Sequence, residues 1–228
     1  MDTLSISSFL KDEQYFAEAP RAGTSGNGRI DKTGTCYHVM TRSWSKENIF
    51  YIDVASYRHN LMCNLCAKMG IVIFFSCTNP NHAHEVFLTP DWNTLSEMVR
   101  ILNTNVSKFI RGTYENKVKK GKRLFEDTAY CAVKDIVYLF FLGKYIHDNP
   151  LYLKAAGKKI PHTCFWMFES ERLKEPYREN AYTNLFGMTY TELYEIYKSR
   201  TKKEVLEFAK NRFREWTEEM NRRIFSNP

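Results

Sequence analysis

The sequence predicts an α+β fold, in which a ferredoxin-like antiparallel sheet has helices packed on one face and is followed by a C-terminal helical extension. Three observations lead to this prediction. The chain has 228 residues, of which 43% are apolar and 26% charged, which is enough to bury one sizeable core. Its apolar patterns follow the order βαββαβα up to residue 155. Beyond that point, the pattern changes to aromatic-rich turns and a long helix.

These patterns divide the chain into three parts. Residues 1–33 include a small, polar run without apolar periodicity and are expected to form an N-terminal arm or tail. Residues 34–155 should form the sheet domain, and residues 156–228 the C-terminal extension. One stripe of apolar residues in the extension has helical spacing: Val205, Ala209, Phe213, Trp216, Met220 and Ile224. We expect this stripe to pack back on the core rather than to bind a partner.

The first half of the sheet domain is predicted to be a strand, a helix and a hairpin. Residues from Cys36 to Thr41 alternate in strand fashion. A helical pattern starts at Asp53 and is ended by Gly70. Two runs rich in β-branched and aromatic residues follow, Ile71–Cys77 and Ala83–Leu88. Because turn-forming residues separate these runs, they predict a β-hairpin.

The second half of the sheet domain should contain a helix, a strand and another helix. Thr94 and Glu97 have the spacing of a capping box and precede a long amphipathic pattern. A strand is expected around residues 128–133. The apolar helix that follows, from Asp135 to His147, should stop at Pro150, because the residue before a proline avoids the helical region.

The overall charge favours a nucleic-acid partner. The net charge is +7, and aromatic residues make up 15% of the chain, so cations could meet phosphates while aromatic faces stack on unpaired bases. Basic residues cluster in a polar stretch after the second helix: Lys117, Lys119, Lys120, Lys122 and Arg123. The alternative is that this cluster is a solvated loop on a protein that merely happens to be basic.

The sequence also suggests where the protein is found. No apolar stretch approaches the roughly 20 residues that a membrane-spanning helix needs, and no secretory signal is recognisable, so we expect a cytoplasmic protein without a membrane partner. Its six cysteines should be reduced thiols. The single CxxC pair, Cys63 and Cys66, falls within a helical pattern and is expected to pack in the core rather than to bind zinc.

Two histidines in the predicted hairpin are candidate metal ligands. His82 and His84 are two residues apart, so on a strand both imidazoles point to one face and can converge on one ion. Such a pair is also common by chance. A third ligand would be needed to make the case for a metal site.

A tyrosine and an asparagine in the last apolar helix are further candidates. Tyr145 and Asn149 are four residues apart and share a helical face, so they could supply a nucleophile and an amide oxygen. A tyrosine hydroxyl has a pKa of about 10 and is a poor nucleophile unless a cation polarises the phosphate it attacks. On spacing alone, the pair could equally be a core aromatic and a helix cap.

Three segments of the chain together resemble a known family. In order, they are Tyr37–Arg42 (YHVMTR), Asn79–His84 (NPNHAH) and Lys144–Pro150 (KYIHDNP). Across residues 34–155, the sequence resembles the REP-associated tyrosine transposases, which are single-tyrosine HUH endonucleases related to small insertion-sequence transposases. Two positions depart from the usual pattern: Asn79 replaces a methionine found in many relatives, and Asp148 replaces an apolar residue.

The resemblance implies a chemistry for the candidate residues. His82 and His84 would bind a divalent cation, Mg²⁺ or Mn²⁺, with Asn149 as third ligand. Tyr145 would attack a phosphate of single-stranded DNA, forming a 5′-phosphotyrosine and releasing a 3′-hydroxyl, and the DNA would carry a hairpin. A homodimer is left open.

Two other functions and one other nucleophile remain open at this stage. The chain could be an inactive descendant that binds hairpin DNA or RNA, or an unrelated hydrolase in which the histidines hold a metal and Tyr145 is structural. Tyr114, Tyr130 and Tyr138 are alternative nucleophiles. Tyr138 lies almost on the same helical face as Tyr145, but the residue four positions after it is Leu142, which cannot bind a metal.

Overall fold

The computed structural model describes residues 32, 35–115, 121–133, 135–155 and 186–214. Within these ranges, the elements are β1 (Cys36–Arg42), α1 (Ile52–Met69), β2 (Val72–Thr78), β3 (His82–Leu88), α2 (Trp92–Thr113), β4 (Ala129–Ala132), α3 (Ile136–Ala155), α4 (Tyr190–Ser199) and α5 (Lys202–Arg212). A short 3₁₀ helix, Trp44–Lys46, follows β1. The predicted order βαββαβα is confirmed. Nearly all of the predicted N-terminal arm and much of the C-terminal extension lie outside the described residues.

The four strands form one sheet in the order β2-β3-β1-β4, and every neighbouring pair is antiparallel. This topology confirms the predicted fold class. Strands β1 and β3 lie in the centre, with Met40 opposite His84 and Arg42 opposite His82. The histidine-bearing strand is therefore flanked on both sides by other strands.

Helices α1 and α2 cover one face of the sheet, as predicted. Their apolar sides pack against strand residues such as Tyr37, Val39 and Phe87. Helix α1 ends at Gly70, as its sequence predicted, because Gly70 adopts the left-handed conformation with φ 67°.

The predicted capping box at the start of α2 is wrong. The helix begins at Trp92, and the Asp91 carboxylate accepts the Thr94 backbone N–H at 2.8 Å and the Thr94 hydroxyl at 2.7 Å. Thr94 is therefore already inside the first turn, and Glu97 pairs with Arg100 instead. Asp91 takes the N-cap because its charged side chain is the stronger acceptor for the first-turn N–H groups.

The opposite face of the sheet is covered by α3, α4 and α5, which adds a third layer. Successive strand residues point to opposite faces, so Cys36, Cys77 and Val86 belong to this second core cluster. The C-terminal stripe packs back on the core as predicted, because Val205, Ala209 and Phe213 are buried in that cluster.

The predicted extent of the C-terminal helix is wrong. Helix α5 ends at Arg212, and Phe213 has non-helical angles as its C-cap. The Phe213 ring turns into the core, where its centroid lies 5.5 Å from that of Phe140 and 5.9 Å from that of Phe186. The remaining stripe residues, Trp216, Met220 and Ile224, lie outside the described residues.

The predicted end of α3 is also wrong, because the helix continues through Pro150 to Ala155. Proline has no N–H to donate to the Ile146 carbonyl, so the helix runs on without that bond. The turn before it is held by packing, since Lys144, Ile146 and His147 are all buried. Tertiary contacts therefore override the local preference of the residue before proline. The predicted helix start is confirmed, because the Asp135 carboxylate accepts the N–H groups of Val137 and Tyr138.

The cysteines agree with the sequence analysis where the structure describes them. Cys36, Cys63, Cys66, Cys77 and Cys131 are free thiols. Cys66 lies on the buried side of α1 and packs in the core, as expected.

Helix α3 packs tightly against the sheet and α4 at Gly143. A methyl group at this position would lie 2.6 Å from Cε1 of Phe75 on β2 and would also overlap the hydroxyl of Tyr197 on α4. That hydroxyl donates a 2.9 Å hydrogen bond to the Phe140 carbonyl, so it is not free to move aside without loss. The absence of a side chain at residue 143 therefore sets the distance between α3 and the sheet.

We expect Gly143→Ala to lower the free energy of unfolding by about 1–3 kcal/mol, because the added methyl group overpacks a closed interface. Gly112→Ala is the matched control, since Gly112 is exposed in α2 with nothing within 4 Å of the added carbon. That substitution should stabilise the protein by about 0.5–1 kcal/mol. Urea denaturation measures both, and equal effects at the two glycines would contradict the close-packing argument.

Candidate functional site

The four residues predicted to form a site lie together between β3 and α3. His82 and His84 project from β3 toward α3, and their ring centroids are 5.0 Å apart. The Tyr145 ring lies edge-on to His84, with 5.6 Å between centroids. Asn149 reaches the same place one helical turn later, and Asn79 connects its side chain to His82. The two residues four positions apart on α3 and the two residues two positions apart on β3 thus meet at one interface.

The hydrogen bonds of His82 define its tautomer. Its Nδ1 lies 2.6 Å from the Asn81 side-chain oxygen, which can only accept, so Nδ1 carries the proton. The lone pair of the neutral ring is then on Nε2. This Nε2 lies 2.9 Å from Nδ2 of Asn79, which also donates to Oδ1 of Asn149 at 2.9 Å. Two lone pairs therefore converge on one amide nitrogen.

A third histidine, His38, supports His84. Its Nε2 lies 3.0 Å from Nδ1 of His84, and both rings are buried. When His84 donates this hydrogen bond from Nδ1, its lone pair is on Nε2, the tautomer suited to metal binding. The sequence analysis did not assign a role to His38. The alternation of β1 places His38 on this face, but its contact with His84 depends on the pairing of β1 with β3.

All three imidazoles are neutral around pH 7. Burial lowers the pKa of His38 to about 4. The pKa of His82 is also lowered to about 4, mainly by burial and then by the positive charge of Arg42, while Asn149 acts in the opposite direction. Burial holds the pKa of His84 well below its usual value. Neutral rings keep the lone pairs that a metal ion requires.

These residues fit a divalent cation. Among the described residues, no group of three or more His, Cys, Asp and Glu side chains could hold a metal. The candidate ligands here are instead two neighbouring imidazoles and one amide oxygen. The lone pairs of His82 and Asn149 already converge on a positively polarised N–H₂ group, the arrangement that a small cation would also satisfy. Such mixed nitrogen and oxygen ligands suit Mn²⁺ well and leave room for phosphate oxygens.

Comparison with known families gives a match over residues 31–149. Residues 31–149 match the sequence model of a family described as transposase, IS200-like, and the match spans just over half of the chain. The chain belongs to the IS200-like transposase family. The match contains the hairpin with both histidines and α3 as far as Asn149. The resemblance to insertion-sequence transposases found in three sequence segments is therefore confirmed.

Two solved structures resemble the transposase weakly. A REP-associated tyrosine transposase bound to a REP hairpin has a TM-score of 0.41 and 13% identity, covering 54% of this chain and 70% of that chain. A protein from Deinococcus radiodurans R1, provisionally described as a transposase, has a TM-score of 0.39 and 11% identity, covering 61% of this chain and 98% of its own. At these TM-scores, neither similarity adds to the family match. No curated protein matches the chain.

Tyr145 differs from the three other tyrosines considered as nucleophiles. Tyr114 donates to both carboxylate oxygens of Asp53, which raises its pKa to about 12. Burial raises the pKa of Tyr130 to about 12 and raises that of Tyr138 as well. Of these four tyrosines in the transposase, Tyr145 is the one in ring contact with His84.

The C-terminal extension places a cation beside Tyr145. The Lys202 ammonium, in the first turn of α5, lies 5.4 Å from the centroid of the Tyr145 ring. A cation over an aromatic ring is attracted by the ring's electrons, and it attracts a phenolate more strongly. Sequence analysis missed Lys202, because no local pattern connects residue 202 to residue 145.

Asp148, the second departure from the family pattern, has a structural partner. The buried Lys144 ammonium donates to the Asp148 carboxylate at 2.9 Å and also to the backbone carbonyl of Tyr197. Because a buried cation is costly without a partner, Asp148 compensates the charge of Lys144. The hydrogen bond from Lys144 to the Tyr197 carbonyl fastens α3 to α4 in the turn that carries Tyr145 and Asn149.

The predicted basic cluster is only partly described. Lys117, Lys119 and Lys120 lie outside the described residues. Lys122 pairs with Glu47 at 2.5 Å, and Arg123 pairs with Asp127, with all four side chains substantially exposed. Exposed ion pairs are weak, so phosphates can displace them. Arg123 also lies over the half-exposed ring of Trp44, 5.5 Å from its centroid.

Within the described ranges, no helix combines the length and the apolar character required to span a bilayer.

A buried ion pair holds the histidine strand from its other face. Glu85 lies between His84 and Val86 and points toward α1, where its carboxylate pairs with Arg58. Both side chains are 1% exposed. Burial raises the pKa of Glu85, and the Arg58 charge opposes that rise. Because β3 carries the histidines on its other side, this pair fixes the strand that positions them.

We expect Arg58→Met to destabilise the protein by about 3–5 kcal/mol, because it leaves the Glu85 carboxylate buried without a cation. Adding Glu85→Leu should recover most of that loss, since no charge is then left unpaired. A double-mutant cycle from urea denaturation of the four proteins measures the coupling. Additive effects of the two substitutions would show that the pair does not act as a unit.

Proposed function

We propose that this transposase cleaves and rejoins single-stranded DNA through a covalent link between Tyr145 and a DNA 5′-phosphate. The observation that carries the proposal is the position of Tyr145, whose ring contacts His84, the neighbour of His82 on β3, while the lone pairs of His82 and Asn149 converge on the Asn79 amide. A hydroxyl nucleophile beside a set of cation ligands is what attack on a phosphodiester requires.

The proposed cleavage is a transesterification. The Tyr145 oxygen attacks the phosphorus, the bond from phosphorus to the 3′-oxygen breaks, and the leaving strand departs with a 3′-hydroxyl. The phenol proton is lost and the leaving oxygen gains one, so the step consumes neither water nor ATP. In the reverse direction, a 3′-hydroxyl attacks the phosphotyrosine and releases Tyr145. The bond energy is conserved, which allows the strand to be joined to a new end.

His82, His84 and Asn149 would hold a divalent cation, Mg²⁺ or Mn²⁺, which when bound neutralises and polarises the phosphate. Asn81 keeps the proton of His82 on Nδ1, and when His38 accepts from Nδ1 of His84 the same holds for that ring, which leaves both Nε2 lone pairs available. Asn149 presents a neutral amide oxygen from the same helix as Tyr145. The nucleophile and one ligand are therefore on a single rigid element, which fixes their relative position.

Positive charges around Tyr145 complete the proposed site. Lys202 over the tyrosine ring favours the phenolate that forms as the proton leaves. Arg42, at the end of β1 opposite His82, adds a guanidinium close to the histidines, since its charge lowers their pKa values. Both residues would also attract the phosphate of the substrate.

We propose a single strand with a hairpin as the DNA substrate. The net charge of +7 supports binding to phosphates. Trp44 and Arg123 form an exposed aromatic and cationic pair on which an unpaired base could stack. Lys117, Lys119, Lys120 and Lys122 would then contact the backbone of the strand.

The covalent step is tested by replacing the nucleophile. Tyr145→Phe keeps the ring but removes the hydroxyl, so it should stay folded, bind DNA and form no adduct. Full-length protein is incubated with Mg²⁺ and hairpin-bearing single strands from the DNA flanking its gene, and denaturing gels reveal any DNA-linked protein. We expect the adduct with wild type and with Tyr138→Phe, the control on the same helix.

Each alternative gives a different result in this experiment. An inactive DNA-binding protein would bind the strands without cutting them, and a hydrolase would cut them without forming an adduct. A peptide map that placed the nucleotide on Tyr138 would show that the choice of nucleophile is wrong.

The binding surface is tested by the salt dependence of affinity. Replacing Lys117, Lys119 and Lys120 by glutamine should reduce the slope of log Kd against log salt by about two to three units for single-stranded DNA, because each lysine that contacts a phosphate releases a counterion. Fluorescence anisotropy across a salt series measures the slope. The same charge change at Lys198, Lys203 and Lys210 is the control. Equal slopes for the two triple variants would show that the cluster is a solvated loop and does not bind the DNA.

A further inference from the structure

Asn79 contacts two of the proposed metal ligands but has no role in the proposed function. It is fully buried at the end of β2, and its backbone N–H donates to the His82 carbonyl at 2.7 Å across the hairpin turn. Its side-chain oxygen accepts from the Cys77 thiol at 3.5 Å. Its Nδ2 faces two of the proposed ligands, His82 and Asn149.

The direction of these hydrogen bonds is fixed by chemistry. His82 uses its only proton on Asn81, so its Nε2 can only accept. Oδ1 of Asn149 is likewise an acceptor. Nδ2 of Asn79 has two protons and satisfies both acceptors at once, each at 2.9 Å. The amide group of Asn79 therefore stabilises the same lone pairs that a cation would bind.

We propose that Asn79 is an internal substitute for the cation: its amide group holds His82 and Asn149 in place without metal and has to withdraw when the cation binds. This inference rests on the proposed function, in which His82 and Asn149 are metal ligands. The neutral His82 ring has a single lone pair on Nε2, which cannot coordinate a cation and accept a hydrogen bond from Asn79 at once, so the two states exclude each other at His82.

Two consequences follow for the protein. Without metal, Asn79 satisfies the buried acceptors of His82 and Asn149, so the ligands stay ordered. Because the cation has to displace the hydrogen bond from Asn79 to His82, it binds more weakly than the same ligands would allow. Asn79 is thus a positioning residue that lowers the cation affinity of the site.

The two asparagines beside His82 should have opposite effects, which gives a matched test. Asn79→Leu has nearly the same volume but no donor, so it should tighten Mn²⁺ binding by about tenfold, because the hydrogen bond from Asn79 to His82 no longer opposes it. Asn81→Ala removes the acceptor that fixes the His82 tautomer and should weaken Mn²⁺ binding about tenfold. The free Mn²⁺ signal in electron paramagnetic resonance measures the dissociation constants of the full-length proteins without DNA.

Controls separate this inference from the proposed function. His82→Ala should abolish Mn²⁺ binding, and if it binds as tightly as wild type, the proposed ligand set is wrong. If His82→Ala loses binding while Asn79→Leu binds with unchanged or weaker affinity, the ligand set stands and the role of Asn79 is overturned. Asn79→Ala serves as a second variant if the leucine is not tolerated, and the same increase in affinity is expected for it.

A second measurement follows Asn79 itself. Its side-chain amide signals in a ¹⁵N-correlated NMR spectrum are those missing from Asn79→Leu. Adding Mg²⁺ to the wild-type protein should shift these signals, because the amide loses the His82 acceptor, and His82→Ala should show no such shift. Asn79 signals that stay in place while wild type binds Mg²⁺ would overturn the proposal. The metal-free Asn79→Leu protein should also melt at a lower temperature and gain more from Mn²⁺ than wild type does.

Discussion

The close contact of α3 with the sheet is the constraint on which the candidate site depends. Gly143 permits this contact, because any side chain there would meet Phe75 and Tyr197. Tyr145 and Asn149 follow within two helical turns, so their distance to β3 depends on the same contact. If α3 were raised by the thickness of a methyl group, the amide bridge from Asn79 to Asn149 would be stretched beyond hydrogen-bonding distance. One absent side chain thus determines whether the strand and helix halves of the site meet.

The same interface carries an unusual number of polar groups, and their pairing explains why it is stable. His38, His84 and Asn79 are all buried, which is costly for groups without partners. Each has one: the two histidines share a hydrogen bond, and Asn79 satisfies two acceptors. Burial keeps the rings neutral, so no charge has to be compensated. A network paired in this way holds its members in one arrangement, which is what a preorganised metal site needs.

The sequence predicted those features that depend on local chemistry. The strand and helix order followed from apolar periodicity, and the end of α1 followed from Gly70, which takes the left-handed conformation. The errors arose where distant contacts decide. Packing against the extension keeps α3 helical through Pro150, and the Phe213 ring turns into the core where a longer helix was expected. The candidate site shows the same division, because the spacing of His82 and His84 is visible in the sequence. The contact of His38 with His84 depends on the register of β1 against β3, which the sequence does not show. The position of Lys202 beside Tyr145 depends on the fold of the extension.

The extension packs against the helix that carries Tyr145 and Asn149, although the family match ends at Asn149. The outer face of α3 is strongly apolar, and Phe140 alone contacts the rings of Phe186, Tyr197 and Phe213. Without α4 and α5, this aromatic surface would face water, and Lys144 would lose the Tyr197 carbonyl that helps to satisfy its buried charge. The turn of α3 that carries Tyr145 is therefore held from two sides, by the sheet through Gly143 and by the extension through Lys144. A nucleophile that has to act on one phosphate in one orientation needs a fixed helix. The extension contributes to that rigidity and, through Lys202, places a cation over the tyrosine ring.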